Sequence, residues 1–332
     1  MNSFGRLFRI HIFGESHGAC VGITIDGCPP GIVLTTDDFI TDVERRKGGM
    51  QRGTTARTEE DIPIFMSGIF NNKTTGAPLT IIFENKNVQS KDYEKQRAIP
   101  RPGHADFVAH HKYKGFEDYR GGGHFSGRLT LPLVAAGVVA KKILRPMQAK
   151  IDIQSSIIEV GGERDIEKGI QKAIDNNDSV GGIIECCVTG LPVGLGEPFF
   201  DSLESLISHI VFAIPAVRGI EFGTGFQAAA MFGSKHNDSI INDKGETATN
   251  HAGGITGGIS NGNELIFRIA VKPTSSTSKE QKSLNWETQQ LEKFTLQGRH
   301  DLCIALRMPV VVEAVTAIVL TDLLLFNLSA NY

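Results

Sequence analysis

The chain has no excess of positive charge. Its 332 residues carry 34 Lys and Arg against 37 Asp and Glu, a formal net charge of −3. A global field that would hold nucleic acid or an anionic membrane is thereby excluded, and anion binding must come from local clusters. Aromatics are scarce, with one Trp and four Tyr. The five cysteines, Cys20, Cys28, Cys186, Cys187 and Cys303, are odd in number and contain no C-x-x-C pair. A disulfide scaffold is therefore not expected, and reduced buried thiols are. No long apolar run is uninterrupted: the most apolar stretch, Val310–Leu325, contains Glu313 and Asp322, so a core helix is expected there and not a membrane span. The opening MNSFGRLFRIHIFGES lacks the apolar core and small-residue cleavage site of a signal peptide, which leads to an expectation of cytoplasmic location.

Glycine is abundant, at 37 residues. That frequency implies many tight loops and close backbone approaches. Apolar or alternating runs predict strands at Leu7–Phe13, Val21–Ile25, Leu79–Glu84, Gly182–Thr189 and Leu265–Lys272. Thr35 to Asp38 can cap a helix running to about Arg46, and Asp201 with Glu204 reads as a capping box before Leu203, Leu206, Ile207, Ile210 and Val211 at helical spacing. Two more helices are predicted after Pro132 and Pro309, both rich in small and apolar residues and so buried on several faces. Their similarity hints at an internal duplication. Strands and helices mix without a strict βαβ rhythm, which predicts an α+β fold, and no linker divides residues 1–332 into more than one domain.

Chemistry-bearing residues cluster beside the glycines. Gly14-Glu15-Ser16-His17-Gly18 fits the G-x-S-x-G pattern of a hydrolase nucleophile elbow, but the alternating Val21–Asp26 that follows reads as a strand where that elbow needs a helix. Ser16 is therefore not expected to be a nucleophile. The stretch Arg45 to Arg57 places five cations around Gly48, Gly49 and Gly53; such runs are commonly solvated faces, yet the interleaved glycine lets guanidinium and backbone groups converge on one phosphate or carboxylate. Arg101-Pro102-Gly103-His104-Ala105-Asp106 holds a second glycine-flanked histidine, whose tautomer Asp106 either fixes or ignores in favour of capping a helix. His110-His111 lacks metal-ligand spacing, so no metal site is expected. Tyr119–Arg128, with Gly121-Gly122-Gly123, is a loop entering a helix, suited to backbone contacts with phosphate or flavin. Three later segments complete the set: the double-glycine loop Asn250–Ile259, Lys272–Ser276 at a strand end, and Gly298-Arg299-His300-Asp301 before the last helix.

In their order along the chain, GESHG, PPGI, RR-x-GG, TTGAPL, RPGHAD, DYRGGG, GLGEP, NHAGGITGGISNG, KPTSS and GRHDLC resemble the motifs of the chorismate synthase family, from Phe8 to about Leu325. The resemblance implies a shikimate-pathway lyase that removes phosphate and a ring hydrogen from 5-enolpyruvylshikimate 3-phosphate in a 1,4-anti elimination. It implies reduced FMN as cofactor with no net redox change, supplied from outside, since nothing resembles the flavin reductase of bifunctional fungal relatives, and NADP is expected alongside. It further implies helices sandwiched between two antiparallel β-sheets with an internal pseudo-twofold, and a homotetramer. Carried over by position, His17 protonates the flavin, His104 stands by the leaving phosphate, and Asp301 assists deprotonation. Arg46, Arg52, Arg101, Arg128 and Arg299 hold the substrate anions. Flavin contacts fall to His124, Phe125, Ser126, Ala216, Gly257, Lys272, Pro273, Thr274, Ser275, Ser276 and Arg299. The sequence departs from the family pattern where His124–Thr130 replaces RSSARET, where Leu302 replaces a proline, where Thr55 stands in place of a third arginine with Arg57 nearby, and in a shortened 145–179 segment.

Overall fold

A computed structural model describes residues 2–49, 52–54, 59–87, 97–147, 150–296 and 300–330. Strands β1 (Ser3–Phe4), β2 (Arg9–Gly14), β3 (Cys20–Asp26) and helix α1 (Ile40–Arg46) come first, followed by β4 (Ile64–Ser67), a short hairpin of β5 (Ile69–Phe70) and β6 (Lys73–Thr74), and β7 (Leu79–Glu84). Helices α2 (Asp106–Tyr113) and α3 (Thr130–Met147) close this half. The second half runs β8 (Asp152–Val160), α4 (Ile166–Asp175), β9 (Gly182–Thr189), α5 (Leu203–Val211), β10 (Val217–Phe222) and α6 (Gly233–His236). The hairpin β11 (Ile255–Thr256) and β12 (Ile259–Ser260) leads to β13 (Leu265–Val271), then β14 (Gln281–Asn285), β15 (Gln290–Phe294) and the long α7 (Pro309–Ala330).

Period-2 burial builds both sheets. In β3 and β7, Val21, Ile23 and Ile25 lie beside Phe83, Ile81 and Leu79 in antiparallel register, and all six are fully buried. In β9 and β13 the same device pairs Ile184, Cys186 and Val188 with Ile269, Phe267 and Leu265. A one-residue slip would turn either set away from the core, so the alternation fixes the register. The sheets are ordered β1-β2-β3-β7-β4 and β10-β13-β9-β8. Omitting β1, each half thus contributes four antiparallel strands in the order first-second-fourth-third, then a long helix. The repeat of this order is the internal pseudo-twofold.

Helix α3 packs on the first sheet through β2, β3 and β7, α7 packs on the second through β8 and β9, and the two helices pack on each other. The layers are therefore sheet, helix, helix, sheet, as expected from the sequence. The helices approach closely because a Cβ on Gly137 would lie 2.3 Å from that of Ala314. Residues of both halves share one apolar core. Helix α7 is long and apolar enough to cross a membrane by composition alone, yet it is buried from Val310 to Leu324 inside this sandwich. Its two acidic interruptions are matched there: Asp322 accepts the amides of Arg6, Leu7 and Phe8 at 2.7–3.0 Å, and Glu313 accepts from Arg45, Lys141 and the Ser155 amide.

Helix α3 opens at Thr130, two residues before the proline expected to lead it, and two other boundaries that differ from the sequence reading have a clear partner. The first long strand begins at Arg9 and not at Leu7, because the amides of residues 6–8 bond Asp322 in place of a strand neighbour. The cap of α5 is Ser202, whose hydroxyl accepts the Ser205 amide at 3.1 Å, while Asp201 turns away to pair with Arg6. All five cysteines carry free thiols.

Candidate functional site

The start of α3, the start of α7, the end of α1 and the loops after β7 and β13 converge on one cavity of about 440 Å³. Helix N-termini carry partial positive charge, so two long helices opening on one space favour anions. Side chains reinforce this. Arg46, Arg101 and Arg128 line the cavity although they are 3%, 8% and 7% exposed, and Lys47, Lys272 and Arg307 line it with them. Buried guanidinium groups persist only with partners. Arg46 donates Nε to Thr130 Oγ1 at 2.9 Å and Nη2 to the Gly127 carbonyl at 3.1 Å. Burial, with Arg307 and Arg128 near, pushes its guanidinium down to about 9, still cationic at neutral pH. Arg128 pairs with Asp61.

His104 sits on the loop before α2. Its Nδ1 is 2.5 Å from Asp106 Oδ1, and Arg101 reaches the same carboxylate through Nε at 2.7 Å and Nη2 at 2.8 Å. Burial opposes ionisation of Asp106, but the hydrogen bonds from Arg101 and His104 outweigh it and hold the carboxyl well below the usual carboxylate range. Asp106 therefore fixes His104; it opens α2 without a side-chain cap bond. Asp301 lines the cavity and accepts from Arg307 Nη1 at 3.0 Å. His300 lines it too, and burial together with Arg101 lowers its pKa.

The triple glycine threads between the two histidines. Gly121, Gly122 and Gly123 all have positive φ. A Cβ on Gly121 would lie 2.6 Å from the His17 ring, and one on Gly122 would lie 3.1 Å from that of His104. Glycine is required for both the backbone and the space. The Gly123 carbonyl accepts the Ser16 amide at 3.0 Å, joining this loop to the β2–β3 turn. That turn runs strand to strand, so the hydrolase elbow is absent as its sequence context predicted.

The lining also holds groups that fit a flavin. Lys272 to Ser276 supply a cation and three hydroxyls, and Pro215, Ala216, Ile304, Met308 and Val311 give apolar surface. Thr274 Oγ1 is buried with no hydrogen-bond partner among the described residues, an orphan that a ligand acceptor or donor would satisfy.

Of the residues expected from sequence, Arg46, Arg101, Arg128, His104, Asp301, Phe125, Ser126, Ala216 and Lys272 to Ser276 meet at this cavity. His17 is not on its wall but lies buried behind Ser16 and Gly121, which are. Three others do not line it either. Arg52 donates to Gln171 Oε1 at 2.6 Å on an exposed surface; His124 bonds the Gly14 carbonyl through Nδ1 at 2.7 Å, anchoring the loop and not a ligand; Gly257 occupies the turn of the β11–β12 hairpin. Arg299, Thr55 and Arg57 fall outside the described residues. Sequence reading passed over Asp61, Asn85 and Arg307. The first sits in an acidic run that reads as surface, the second follows a strand, and the third lies in a short turn; none had a motif signal.

The family model for chorismate synthase matches residues 8–325. A chorismate synthase of Chitinophaga pinensis is 64% identical over 331 residues, covering 100% of this chain and 98% of its own. One from Dehalococcoides mccartyi is 46% identical over 98% of this chain and 96% of its own. A solved structure described as the crystal structure of chorismate synthase superposes with a TM-score of 0.75 at 25% identity, covering 99% of this chain and 95% of that one. With the family model, the identity to these relatives and the shared fold in agreement, the chain belongs to the chorismate synthase family.

Proposed function

We propose that this cavity converts 5-enolpyruvylshikimate 3-phosphate to chorismate and inorganic phosphate, as a carbon–oxygen lyase that depends on reduced FMN. The observation that carries the reading is the convergence of Arg46, Arg101 and Arg128, all buried, on a space that also receives His104 and Asp301. A substrate with one phosphate and two carboxylates needs this kind of desolvated guanidinium cluster.

In the 1,4-anti elimination the ring C–O bond to phosphate breaks, a ring proton leaves, and a second ring double bond forms. Reduced FMN, held by the residues of this cavity, would supply transient electron density for phosphate expulsion with no net oxidation. The chain's residues hold charges and protons around that event. The three arginines bind and orient the anions. His104, with Nδ1 fixed by Asp106, turns Nε2 to the departing phosphate oxygen as the acid. His17, buried behind Ser16 and Gly121, holds a proton on the side given to the cofactor, and Asp301, oriented by Arg307, assists removal of the proton that leaves the ring. Lys272 to Ser276, Phe125, Ser126 and Ala216 hold the cofactor, with Thr274 Oγ1 awaiting a partner. Fixed cations and dipoles of this kind stabilise developing charge without reorganising.

The same reading takes the enzyme to be a cytoplasmic homotetramer fed with reduced flavin from elsewhere. Phe199 and its neighbour Phe200, each more than 80% exposed, support assembly, since adjacent exposed apolar side chains are what an interface covers. Light scattering of the purified protein reads its assembly state. The activity is tested anaerobically with reduced FMN and the enolpyruvyl substrate, following chorismate absorbance and free phosphate. Equal release of both supports the reading; no turnover by folded protein rejects it.

A further inference from the structure

A carboxylate lies where a trianion is to bind. Asp61 lines the cavity, its side chain is 2% exposed, and its φ of 54° is left-handed. Alone it would repel the substrate. Its two oxygens, however, face two different guanidinium groups: Oδ1 bonds Arg128 Nη1, and Oδ2 lies 3.6 Å from Arg46 Nη1. Arg128 continues the chain of contacts. Its Nε donates to Asn85 Oδ1 at 3.0 Å and its Nη2 to the Glu84 carbonyl at 3.3 Å. Asn85 then grips the turn after β2: Nδ2 donates to the carbonyls of Glu15 and Gly18 at 3.0 and 2.9 Å, and its amide donates to Ala19 at 3.1 Å. Only this amide orientation satisfies both sides, because a guanidinium demands the oxygen and two carbonyls demand the nitrogen.

We propose that Asp61 and Asn85 are positioning residues: through Arg128 they brace the anion cradle to loop 15–19, so that the arginines and the turn carrying Ser16 and His17 are set as one unit before substrate arrives. The assignment of substrate rests on the proposed function; the brace rests on these bonds. Two cations buried side by side need a fixed counter-charge, and a fully bonded buried network has one arrangement where a half-bonded one has several.

The test reads the loop apart from the chemistry. Asp61 touches no residue of 15–19 in the contacts above, so a purely local role for it leaves that loop unchanged. Amide hydrogen exchange of the folded protein is measured for wild type, Asp61→Asn, Asn85→Asp and the double variant. Asn85→Asp keeps an acceptor for Arg128 but cannot donate to Glu15 and Gly18. Faster exchange at Ser16 and Gly18 in Asp61→Asn, together with kcat lowered about 10–100-fold, is expected. Inorganic phosphate should bind Asp61→Asn at least as tightly as wild type, because a competing carboxylate is gone. The double variant should lose less than the product of the single losses, since both act through Arg128. Unchanged exchange in 15–19, or multiplicative losses, overturns the brace. If Asp61→Asn does not fold, exchange in Asn85→Asp decides: faster exchange confined to 15–19, with none at Arg46 or Arg128, also overturns it. A wild-type protein without turnover would sink the proposed function, while the exchange result would still judge the brace.

Discussion

His17 and His104, 87 residues apart in sequence, pack against consecutive residues of a single loop, Gly121 and Gly122. The glycine pair is thus a spacer that sets one ring relative to the other. Gly121→Ala would add a Cβ 2.6 Å from the His17 ring at a left-handed φ of 59°. Turnover should fall about 10²-fold, the usual cost of a displacement near 1 Å at a reacting group. Gly162→Ala is the control: its φ is also left-handed, at 83°, but nothing lies within 4 Å of the added carbon. It should cost stability of about 1 kcal/mol and leave kcat unchanged.

Removing either ring tests the proton-transfer roles directly. His17→Ala and His104→Ala should each lower the rate by ~10²–10⁴-fold, the range for positioned acid–base groups. Oxidised FMN should bind both variants far closer to normal, as read by flavin fluorescence. Near-normal rates would leave the family assignment standing and remove the roles.

Asp106 gives a pH prediction. Its folded-state pKa is depressed, the hydrogen bonds from Arg101 and His104 outweighing burial. Its contribution to stability is therefore full above the unfolded carboxylate value of about 3.9 and is lost as pH falls through the lower folded-state value. Asp106→Asn should be less stable than wild type at pH 7, and the gap should close on acidification below about pH 4. Denaturant midpoints measured from pH 7 downwards check this; a gap that widens with acid contradicts the sign.

Arg307 bonds Asp301 at 3.0 Å and the Arg46 carbonyl at 2.9 Å, joining the proposed proton acceptor to the proposed anion cradle. Arg307→Ala should lower kcat more than it raises KM. Arg307→Lys, a point charge without the planar fork, should recover only part of the loss. Steady-state kinetics with reduced FMN separate the two constants.

Asp322 lies far along α7 from the cavity and accepts three consecutive amides of residues 6–8. Asp322→Asn should destabilise the protein by roughly 2–4 kcal/mol, as a buried charge-assisted cluster loses its charge. kcat per folded molecule should stay at the wild-type value. Thermal unfolding and an active-site-normalised assay measure both.

Much was legible in the sequence where the signal is local. The alternation of Val21–Ile25 and Leu79–Phe83 determined strands, and which of their faces is buried, because side chains on a strand point to opposite sides in turn. Pro309 and the small-residue run after Pro132 announced the two central helices. The motif order identified the family, and it pointed to His104, Asp301, Arg46, Arg101 and Arg128, which line one cavity. Local signals misled only where a distant partner competed for the same groups, as Asp322 does for the amides of residues 6–8 and Arg6 for Asp201.

Only the tertiary structure separated the jobs of residues that look alike in sequence. Arg45 and Arg46 are neighbours, yet one is held by Glu313 in α7 and the other enters the cavity. Arg52 turns to Gln171 and His124 to a backbone carbonyl. Asp61 and Asn85 carry no motif, and their roles exist only because Arg128, 67 and 43 positions away, passes between them. Residue type and spacing decide which elements form, since those depend on near neighbours. The partner of a buried charge depends on which elements meet, and the packing of α3 against α7 between the two sheets decides that.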